Sequence, residues 1–306
     1  MGRQRVRKHH RRTRLWVFIS IVLVAIASFL IIDYITRPCV KALPQTVSVP
    51  LPSWANHVPE QAQGLRFLNF SRIFMTPGGG SVIENPTVLR IHELNLNISI
   101  FEVEYGLTIS LSDQASVSVI KLDSKTYSSL SSALAGAKSL AHERYLNYTI
   151  FNVFPSGGSR TQRGYLSVNA TAVFYIEGQT SSLDQLKRVL AAPAGPNGSR
   201  FFDSPRRVST YYLLTRDDPA PIGFSMLNGA RVAGTIEWSS VIQPTSSGHK
   251  LVNVYTYRTQ QDALANLQTA RQLLFARASQ YCVEGGNLVV TNLYKPSDLK
   301  TLIGGL

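Results

Sequence analysis

Eighteen consecutive residues without a charged side chain, Leu15 to Ile32, constrain this 306-residue chain more than any other feature. A helix of about 20 apolar residues is long enough to cross the roughly 30 Å of hydrocarbon in a bilayer. Trp16 and Tyr34 stand at the two ends of this stretch, and amphipathic rings of this kind prefer the headgroup layer. The sequence therefore predicts a transmembrane helix over residues 15–35.

The segment before the apolar run is strongly basic. Residues 1–14 contain seven Lys and Arg residues and no acidic residue, whereas only Arg37 and Lys41 follow the run closely. Because cytoplasmic flanks carry the excess of positive charge, we expect a single-pass plasma-membrane protein with a cytoplasmic N-terminus and an extracytoplasmic remainder. The predicted membrane-interface residues are Arg11, Arg12, Arg14, Trp16 and Tyr34.

Two properties of the basic tail indicate what it contacts. Each Lys or Arg near the surface is attracted to anionic headgroups by about 1 kcal/mol. Residues 1–14 also lack an aromatic side chain that could stack on a base. We therefore expect the lipid bilayer, including its anionic headgroups, as the partner of the tail, and the pattern argues against nucleic acid.

Two other interpretations of the apolar run fit less well. A cleaved secretory signal would have to be cut after Ala27, inside the apolar block, whereas cleavage normally follows a small-residue site at its end. A pilin would continue its helix beyond the apolar part, but Pro38 and Pro44 follow within a few residues and would stop it. An uncleaved anchor is the better interpretation.

The next segment has the composition of a stalk. Residues 36–64 contain a third of the 15 prolines, and proline favours extended, semi-rigid backbone. Apolar side chains such as Trp54 leave open that part of this segment lies along the domain. The predicted organisation is thus a basic tail at 1–14, a transmembrane helix at 15–35, a stalk at 36–64 and an extracytoplasmic domain at 65–306, which a Pro/Gly-rich stretch near 192–200 divides into two lobes.

Alternation of apolar and polar residues dominates the outer domain and predicts strands. Apolar residues occupy even positions from 94 to 100 and odd positions from 101 to 111, so a turn or bulge is needed between the two runs. Further predicted strands are Val117 to Leu122, Thr149 to Phe154, Tyr165 to Ile176, Val208 to Leu214, Arg231 to Ile242, Leu251 to Tyr257 and Leu288 to Leu293. Hairpin turns are expected at residues 156–159 and at Asn228-Gly229.

Helical spacing of apolar residues, with capping residues before it, predicts three helices. They cover Ser124 to Tyr145, Ser181 to Ala192 and Thr259 to Tyr281. The predicted fold class is therefore α+β, strand-rich and mostly antiparallel, behind a single transmembrane helix. A domain of this size can bury a substantial core.

Two cysteines and five Asn-x-Ser/Thr sequons fit an extracytoplasmic domain. Cys39 and Cys282 would form a disulfide worth about 4 to 5 kcal/mol if they pair; an unpaired buried Cys282 and an intermolecular or reactive role are the alternatives. The candidate glycosylation sites are Asn69, Asn97, Asn147, Asn169 and Asn197. Ordinary Asn residues on polar strand faces would produce the same pattern.

Catalytic motifs are scarce. The chain contains neither a GxSxG elbow nor a Walker loop, and the sequence predicts no catalytic, cofactor-binding or metal-ligating residue. Three Ser-x-x-Lys pairs leave a Ser-Lys dyad open: Ser118/Lys121, Ser247/Lys250 and Ser297/Lys300. The glycine-rich residues 76–81 could receive an anion on their backbone amides, although a flexible turn is the commoner use of such a run.

These observations favour a non-enzymatic role. We expect an anchored extracytoplasmic protein of the cell envelope that binds or scaffolds a protein or surface polymer and that carries glycans in a glycosylating host. The alternative is an anchored extracytoplasmic hydrolase with a Ser-Lys or carboxylate-based site, so enzymatic activity stays open. A deep pocket with converging polar groups would favour the hydrolase, and an exposed apolar patch would favour binding.

Overall fold

The structure is a computed structural model of the whole chain. It describes residues 19–29, 53–82, 87–111, 116–153, 163–170, 172–178, 180–192, 200–202, 204, 206–207, 210–212, 221–229, 232–267 and 280–305. The basic tail, both ends of the predicted transmembrane segment and residues 36–52 of the predicted stalk lie outside this range. Residues 19–29 are helical, and among the described residues no helix combines the length and apolar character needed to cross a membrane.

The described part of the chain from residue 53 onward contains fourteen strands. Their bounds are β1 Gly64–Asn69, β2 Thr87–Ile91, β3 Leu96–Ser99, β4 Val103–Ser110, β5 Ser116–Leu122, β6 His142–Tyr145, β7 Tyr148–Val153, β8 Arg163–Val168, β9 Val173–Gly178, β10 Gly223–Asn228, β11 Glu237–Thr245, β12 Gly248–Thr256, β13 Gln280–Glu284 and β14 Asn287–Tyr294. All strand pairs are antiparallel. The mixed, strand-rich and mostly antiparallel class is confirmed.

Helices are shorter and more numerous than predicted. The α-helices are α1 Phe70–Met75, α2 Ser124–Gly136, α3 Thr180–Leu190, α4 Gln260–Ala265 and α5 Leu299–Gly305. Helical turns also occur at 206–207 and 210–212. Short 3₁₀ helices cover Ser53–His57, Gly79–Val82, His92–Leu94, Ile100–Glu102, Arg200–Phe202 and Pro296–Asp298.

Twelve of the strands form one sheet in the order β13-β14-β12-β11-β10-β1-β4-β5-β9-β8-β7-β6, and β2 and β3 form a separate hairpin. Strand β1 lies at the centre because it pairs with β10 on one side and with β4 on the other. The sheet therefore continues through both sides of the predicted boundary near 192–200.

One face of the large sheet, here called the core face, packs on a single apolar cluster that runs from β14 to β7. Trp54 is at its centre: its ring stacks on Phe67 at 4.8 Å and meets Phe202, Tyr211 and Phe224 within 6.5 Å. Helix α3 covers the same face with Leu186, Val189 and Leu190. Residues 53–64 of the predicted stalk are thus partly built into the core.

The opposite face, here called the cavity face, carries three separate clusters. The α2 cluster includes Leu130 and Leu134 of α2, and the β2–β3 hairpin packs with it. The α4 cluster forms around Trp238, Tyr255 and Ala263. The α5 cluster joins Ile73 of α1 to three residues of α5, which are Leu299, Leu302 and Ile303.

Several predicted elements are confirmed with their mechanisms. Asp123 caps α2 by accepting a hydrogen bond from the Thr126 amide at 2.8 Å, and α4 begins next to the predicted start at Thr259, which forms a capping box with Asp262. The change of parity near residue 100 is a 3₁₀ helix, Ile100–Glu102, between β3 and β4. Strands β7 and β8 form the expected hairpin, whose turn at 156–159 lies outside the described residues.

Three predicted helix or strand ends are wrong. Helix α2 ends at Gly136, and His142–Tyr145 is instead strand β6, because its backbone pairs with β7. The predicted strand over 165–176 is two strands, since the Asn169 side chain accepts a hydrogen bond from the Ala172 amide at 2.8 Å and turns the chain. Tyr281 belongs to β13 rather than to the last predicted helix, of which residues 268–279 are not described.

Two further corrections concern the second half of the chain. Residues 210–212 are helical rather than extended, and Tyr211 inserts its ring into the aromatic cluster on the core face. Asn228 and Gly229 do not form a two-residue turn, because β10 ends at Asn228 and its partner β11 begins only at Glu237. Both corrections have the same physical reason: contacts with the sheet decide the conformation of these residues, and they override the local sequence pattern.

Candidate functional site

A row of polar side chains crosses the middle of the cavity face. Its members lie directly opposite one another in successive strand pairs: Ser118, Thr108, Arg66, Ser225, Ser240 and Asn253. Directly paired residues of antiparallel strands project from the same face and have Cβ atoms about 5 Å apart. The chain therefore assembles a polar row, named so below, from six strands between Arg66 and Asn253.

The row separates the α4 cluster from the α5 cluster on the cavity face. Leu68 and Ile242 lie one pleat away toward the α5 cluster, whereas Trp238 and Tyr255 lie one pleat away toward the α4 cluster. Ser225 and Ser240 are almost fully buried where α-helices cover this part of the sheet. Toward β5 and β9 the covering is incomplete, and a cavity remains there.

This opening, called the sheet cavity, has a volume of about 540 Å³. It is lined by Arg66, Leu68, Phe70, Val88, Gly106, Leu107, Thr108, Ser116, Ser118, Ile120, Tyr175, Ile176 and Glu177. Phe70 of α1 packs against both the α2 cluster and the α5 cluster. The sheet cavity is therefore the gap between two groups of covering helices, with the sheet as its floor.

The polarity of the residues that line the sheet cavity changes along the strand direction. Leu68, Gly106 and Ile120 form one level of the floor, and Phe70 and Val88 stand beside it. The polar row forms the next level, and Ser116 and Glu177 lie beyond it. Two residues along a strand span about 6.6 Å, so the cavity passes from an apolar end to a polar end within a short distance.

Arg66 is the only cation among the described residues that line the cavity. One Nη atom donates a hydrogen bond to the Ile303 carbonyl oxygen of α5, while Nε is buried and has no partner among the described residues. Burial lowers the pKa of the guanidinium, although Arg still stays charged in proteins. No described carboxylate forms an ion pair with it.

Tyr175 and Glu177 form the acidic side of the cavity. The Tyr175 hydroxyl donates a hydrogen bond to a Glu177 carboxylate oxygen at 2.8 Å. The pKa of Tyr175 is raised, first by burial, then by its hydrogen bond to Glu177 and by the negative charges of Glu177 and Glu93. A phenol with a raised pKa stays protonated at neutral pH, so it acts here as a hydrogen-bond donor.

The predicted Ser-Lys pairs do not meet in the cavity. Ser118 lines it, but Lys121 is three residues further along the same strand, where side chains project from the opposite face. Ser247 and Lys250 sit at the β11–β12 hairpin. Ser297 donates a hydrogen bond to Asp298 instead of facing Lys300. Across the part of the chain that the structure describes, no three His, Cys, Asp or Glu side chains gather where a metal ion could be held.

Three buried titratable groups lie outside the cavity. His57 packs its ring edge on Phe174 of the core face, and burial lowers its pKa. His249 is fully buried on the cavity face; burial lowers its pKa more than the nearby Pro77 and Pro296 backbone and Asp298 raise it. Burial raises the pKa of Glu237 against the opposing effect of Arg207 and Arg206.

The predicted modification sites fall in different surroundings. Asn147 is exposed in the β6–β7 turn and Asn97 is exposed on β3. Asn69 caps α1 by accepting a hydrogen bond from the Arg72 amide, and Asn169 shapes the β8–β9 turn. Asn197 lies outside the described residues. Whether any of these sequons is glycosylated stays a prediction.

Cys282 on β13 is half-buried against the core-face cluster and is disulfide-bonded. Cys39, the other cysteine of the sequence, lies outside the described residues. The predicted interface residues 11, 12, 14, 16 and 34 also lie outside them.

The glycine-rich loop has a packing explanation. A Cβ atom at Gly78 would lie 2.1 Å from the Pro296 carbonyl oxygen, and one at Gly79 would lie 1.9 Å from the Ile73 carbonyl oxygen. Gly78 also has a φ of +85°, which other residues rarely adopt. These glycines therefore let the loop pass closely between α1 and the segment before α5.

Sequence reasoning missed the cavity residues Arg66, Thr108, Tyr175 and Glu177. A weak signal exists: Arg66 is the polar residue between Leu65 and Phe67, both buried on the core face. The alternation locates Arg66 on the other face, but only the register of four different strands brings it level with Thr108, Ser118 and Tyr175.

Comparison with known proteins yields structural neighbours only. No protein-family model matches the chain, and no curated protein matches it. Among solved structures, crystal form III of TP0453 is 10% identical with a TM-score of 0.45, covering 85% of this chain and 100% of that one. Crystal form I is 10% identical with a TM-score of 0.46, covering 82% and 96%, and form IV is 11% identical with a TM-score of 0.43, covering 81% and 95%.

Proposed function

We propose that this protein is a single-pass, membrane-anchored binding protein whose extracytoplasmic domain takes up a ligand in the sheet cavity. The observation that carries the anchoring is the helix at residues 19–29, whose sequence is ISIVLVAIASF and in which every residue is exposed. Ile21, Val24 and Phe29 expose between 61% and 70% of their surface. A helix that is apolar on all sides is stable only when something apolar covers it.

The lipid bilayer is the cover that the flanking sequence favours. Burial of one large apolar side chain contributes about 1.5 to 3 kcal/mol, so several uncovered side chains favour a hydrocarbon environment strongly. The proposed span covers residues 15–35, with the seven cations of residues 1–14 on the cytoplasmic side. A proline-rich segment then joins the span to a domain that begins at the Ser53–His57 turn.

Binding is favoured over hydrolysis by the groups that line the sheet cavity. Within the described residues, its hydroxyl-bearing side chains have neither a Lys nor a His beside them in the lining. A serine nucleophile needs a base of that kind within hydrogen-bond reach. Tyr175 and Glu177 form a hydrogen bond with each other. Arg66 can bind an anion through its charge and its hydrogen bonds, but it does not transfer a proton. This arrangement is better suited to binding a ligand than to hydrolysing one.

The proposal includes the disulfide and the glycosylation sites that the sequence predicts for an extracytoplasmic domain. A disulfide between Cys39 and Cys282 would connect the base of the segment after the span to strand β13. Glycans on Asn97 or Asn147 would project from exposed positions. The cell-envelope location, the contact with anionic headgroups and a protein or surface-polymer partner belong to the same proposal.

Protease accessibility tests the anchoring directly. The full chain, with a different tag at each end, is expressed in its host and intact cells are treated with an impermeant protease. We expect loss of the C-terminal tag, retention of the N-terminal tag, and retention of the chain in the membrane pellet after alkaline carbonate washing. A Leu23→Lys/Val24→Lys variant should be released by that wash, because two charges at the centre of a span are costly.

A matched control uses the same type of substitution outside the proposed span. Leu146→Lys/Leu293→Lys changes two exposed apolar residues of the outer domain and should stay in the membrane pellet. Protection of both tags in intact cells, or release of the unchanged chain by carbonate, would refute the anchoring.

A further inference from the structure

We propose that the sheet cavity selects an amphiphile that carries one negative charge, with a carboxylate or phosphate-diester head at Arg66 and an apolar chain toward Phe70 and Val88. The inference rests on the proposed binding function and adds the chemical class of the ligand. Both carboxylates and phosphate esters present anionic oxygens to a guanidinium, so the two sources share one recognition chemistry.

The charge of the ligand follows from Arg66. Its guanidinium is half-buried at the cavity, and among the described residues its hydrogen bond to the Ile303 carbonyl oxygen is not accompanied by an ion pair. Buried charges in proteins are normally paired. An anionic group entering the cavity would supply the missing counter-charge.

Two hydroxyl groups stand beside the guanidinium on the same level of the sheet. Thr108 lies directly opposite Arg66, and Ser118 lies directly opposite Thr108. Neither hydroxyl forms a hydrogen bond with another described residue. Since cross-strand Cβ atoms are about 5 Å apart, Arg66 and the neighbouring hydroxyls are placed to donate to the two anionic oxygens of one head.

The apolar end of the cavity receives the rest of the ligand. Leu68 and Ile120 form its floor one pleat from the polar row, and Phe70 and Val88 form its walls. Gly106 lets the Phe70 wall approach the floor closely, because a Cβ atom there would lie 3.1 Å from the Phe70 ring. An acyl or similar chain that extends from the head in this direction would contact apolar groups only.

Glu177 limits the charge and orients the ligand. Its carboxylate lies at the far polar end of the lining, where it accepts the hydrogen bond from Tyr175. A second negative charge on the ligand would approach this carboxylate without a second cation to compensate it. The cavity therefore favours monoanions over dianions and places the head between Glu177 and the apolar end. Its volume of about 540 Å³ is within the range of sites for small organic ligands.

Calorimetric titration of the full chain in zwitterionic nanodiscs tests the inference, with empty nanodiscs as the reference. The probes share an eight-carbon chain: octanoate, methyl octyl phosphate, 1-octanol and octylamine. We expect at least one of the two monoanions to bind at least tenfold more tightly than 1-octanol, and octylamine to bind weakest. The ratio between octanoate and methyl octyl phosphate then identifies the preferred head.

Variants locate the binding and separate charge from folding. Arg66→Gln should weaken binding of the preferred monoanion at least tenfold and leave 1-octanol unchanged, whereas Arg90→Gln, an equal charge change on exposed residue 90 of β2, should leave both unchanged. Thr108→Val keeps the side-chain shape and should weaken the monoanion severalfold. Thermal unfolding of each variant identifies any loss of affinity that comes from misfolding, in which case Thr108→Val decides.

The outcomes distinguish the ligand class from the proposed function. Equal binding of 1-octanol and both monoanions, or equal losses in Arg66→Gln and Arg90→Gln, would overturn the anionic class and leave a cavity that binds apolar molecules. Binding of none of the four probes would overturn the inference, while the protease experiment still decides the anchoring on its own.

Discussion

The two faces of the large sheet are covered in different ways. On the core face one apolar cluster runs without interruption from β14 to β7, and a 3₁₀ helix, α3 and an aromatic group close it. On the cavity face the apolar residues form three smaller clusters, and the polar row separates the α4 cluster from the other two. The core face is therefore held by one continuous cluster, whereas the cover of the cavity face is divided and leaves the sheet cavity open.

The polar row explains the difference. A strand residue that carries a hydroxyl, an amide or a guanidinium cannot be covered by apolar side chains without losing its hydrogen bonds to water. Ser225 and Ser240 are nevertheless buried, and the apolar cover is incomplete only toward Arg66, Thr108 and Ser118. The α2 and α5 clusters lie on the same side of this level, because Ile120 and Leu68 are aligned through Gly106. Arg66 connects the row to α5 through the Ile303 carbonyl oxygen.

The largest expected effect is on the core face. Trp54→Ala should lower the free energy of unfolding by about 3 to 5 kcal/mol, because it removes a buried aromatic side chain from the centre of a packed cluster. Urea unfolding followed by circular dichroism measures the change. Phe101→Ala is the control: its ring is 65% exposed, so the loss should stay below about 1 kcal/mol. Equal losses would contradict the central role of Trp54.

A smaller and more local effect is expected on the cavity face. Leu299→Ala removes a fully buried side chain from the α5 cluster, and such a truncation costs about 2 to 5 kcal/mol. Because this cluster is separate, the loss should appear as faster hydrogen exchange in α5 and α1, with protection retained in β10 and β11. Leu293→Ala, which is 62% exposed, should change neither. Uniform loss of protection would show that the two faces unfold as one unit.

The smallest expected effect compares one buried histidine on each face. Burial lowers the pKa of His57 and of His249 from the usual 6.5, so the unfolded chain binds protons more readily than the folded one. Stability should be fully present above pH 6.5 and should fall as the pH drops below it, by at most about 1.4 kcal/mol per pH unit for each histidine.

Single substitutions divide this pH dependence between the faces. His249→Gln should reduce the slope of stability against pH that comes from the cavity face, where Asp298 is the charged group that acts on His249. His57→Gln should reduce the slope that comes from the core face. Urea midpoints at pH 7.5, 6.0 and 5.0 measure the slopes, with exposed His142→Gln as the control. If neither variant changes its slope, burial of these rings does not control the acid response.

The sequence correctly predicted those elements that are stabilised by interactions between residues close in sequence. The capping residues next to Ser124 predicted the start of α2, the apolar spacing after Thr259 predicted the start of α4, and alternation predicted β5 and β14 to within one residue. The failures share a different cause. Residues 210–212 were predicted as a strand from their apolar and β-branched content, but Tyr211 is drawn onto the core face as a helical turn, because its ring contacts Trp54, Phe202 and Phe224.

The sequence alone determined the features that depend on neighbouring residues: an apolar run after a basic tail, a strand-rich, mostly antiparallel domain and the alternation of faces along its strands. Only the tertiary structure decided which residues share the sheet cavity. Arg66, Thr108 and Tyr175 are separated by dozens of residues in sequence and meet through strand registers. A shift of one residue in any of these registers would move a side chain to the other face, and the register is set by packing across the whole sheet.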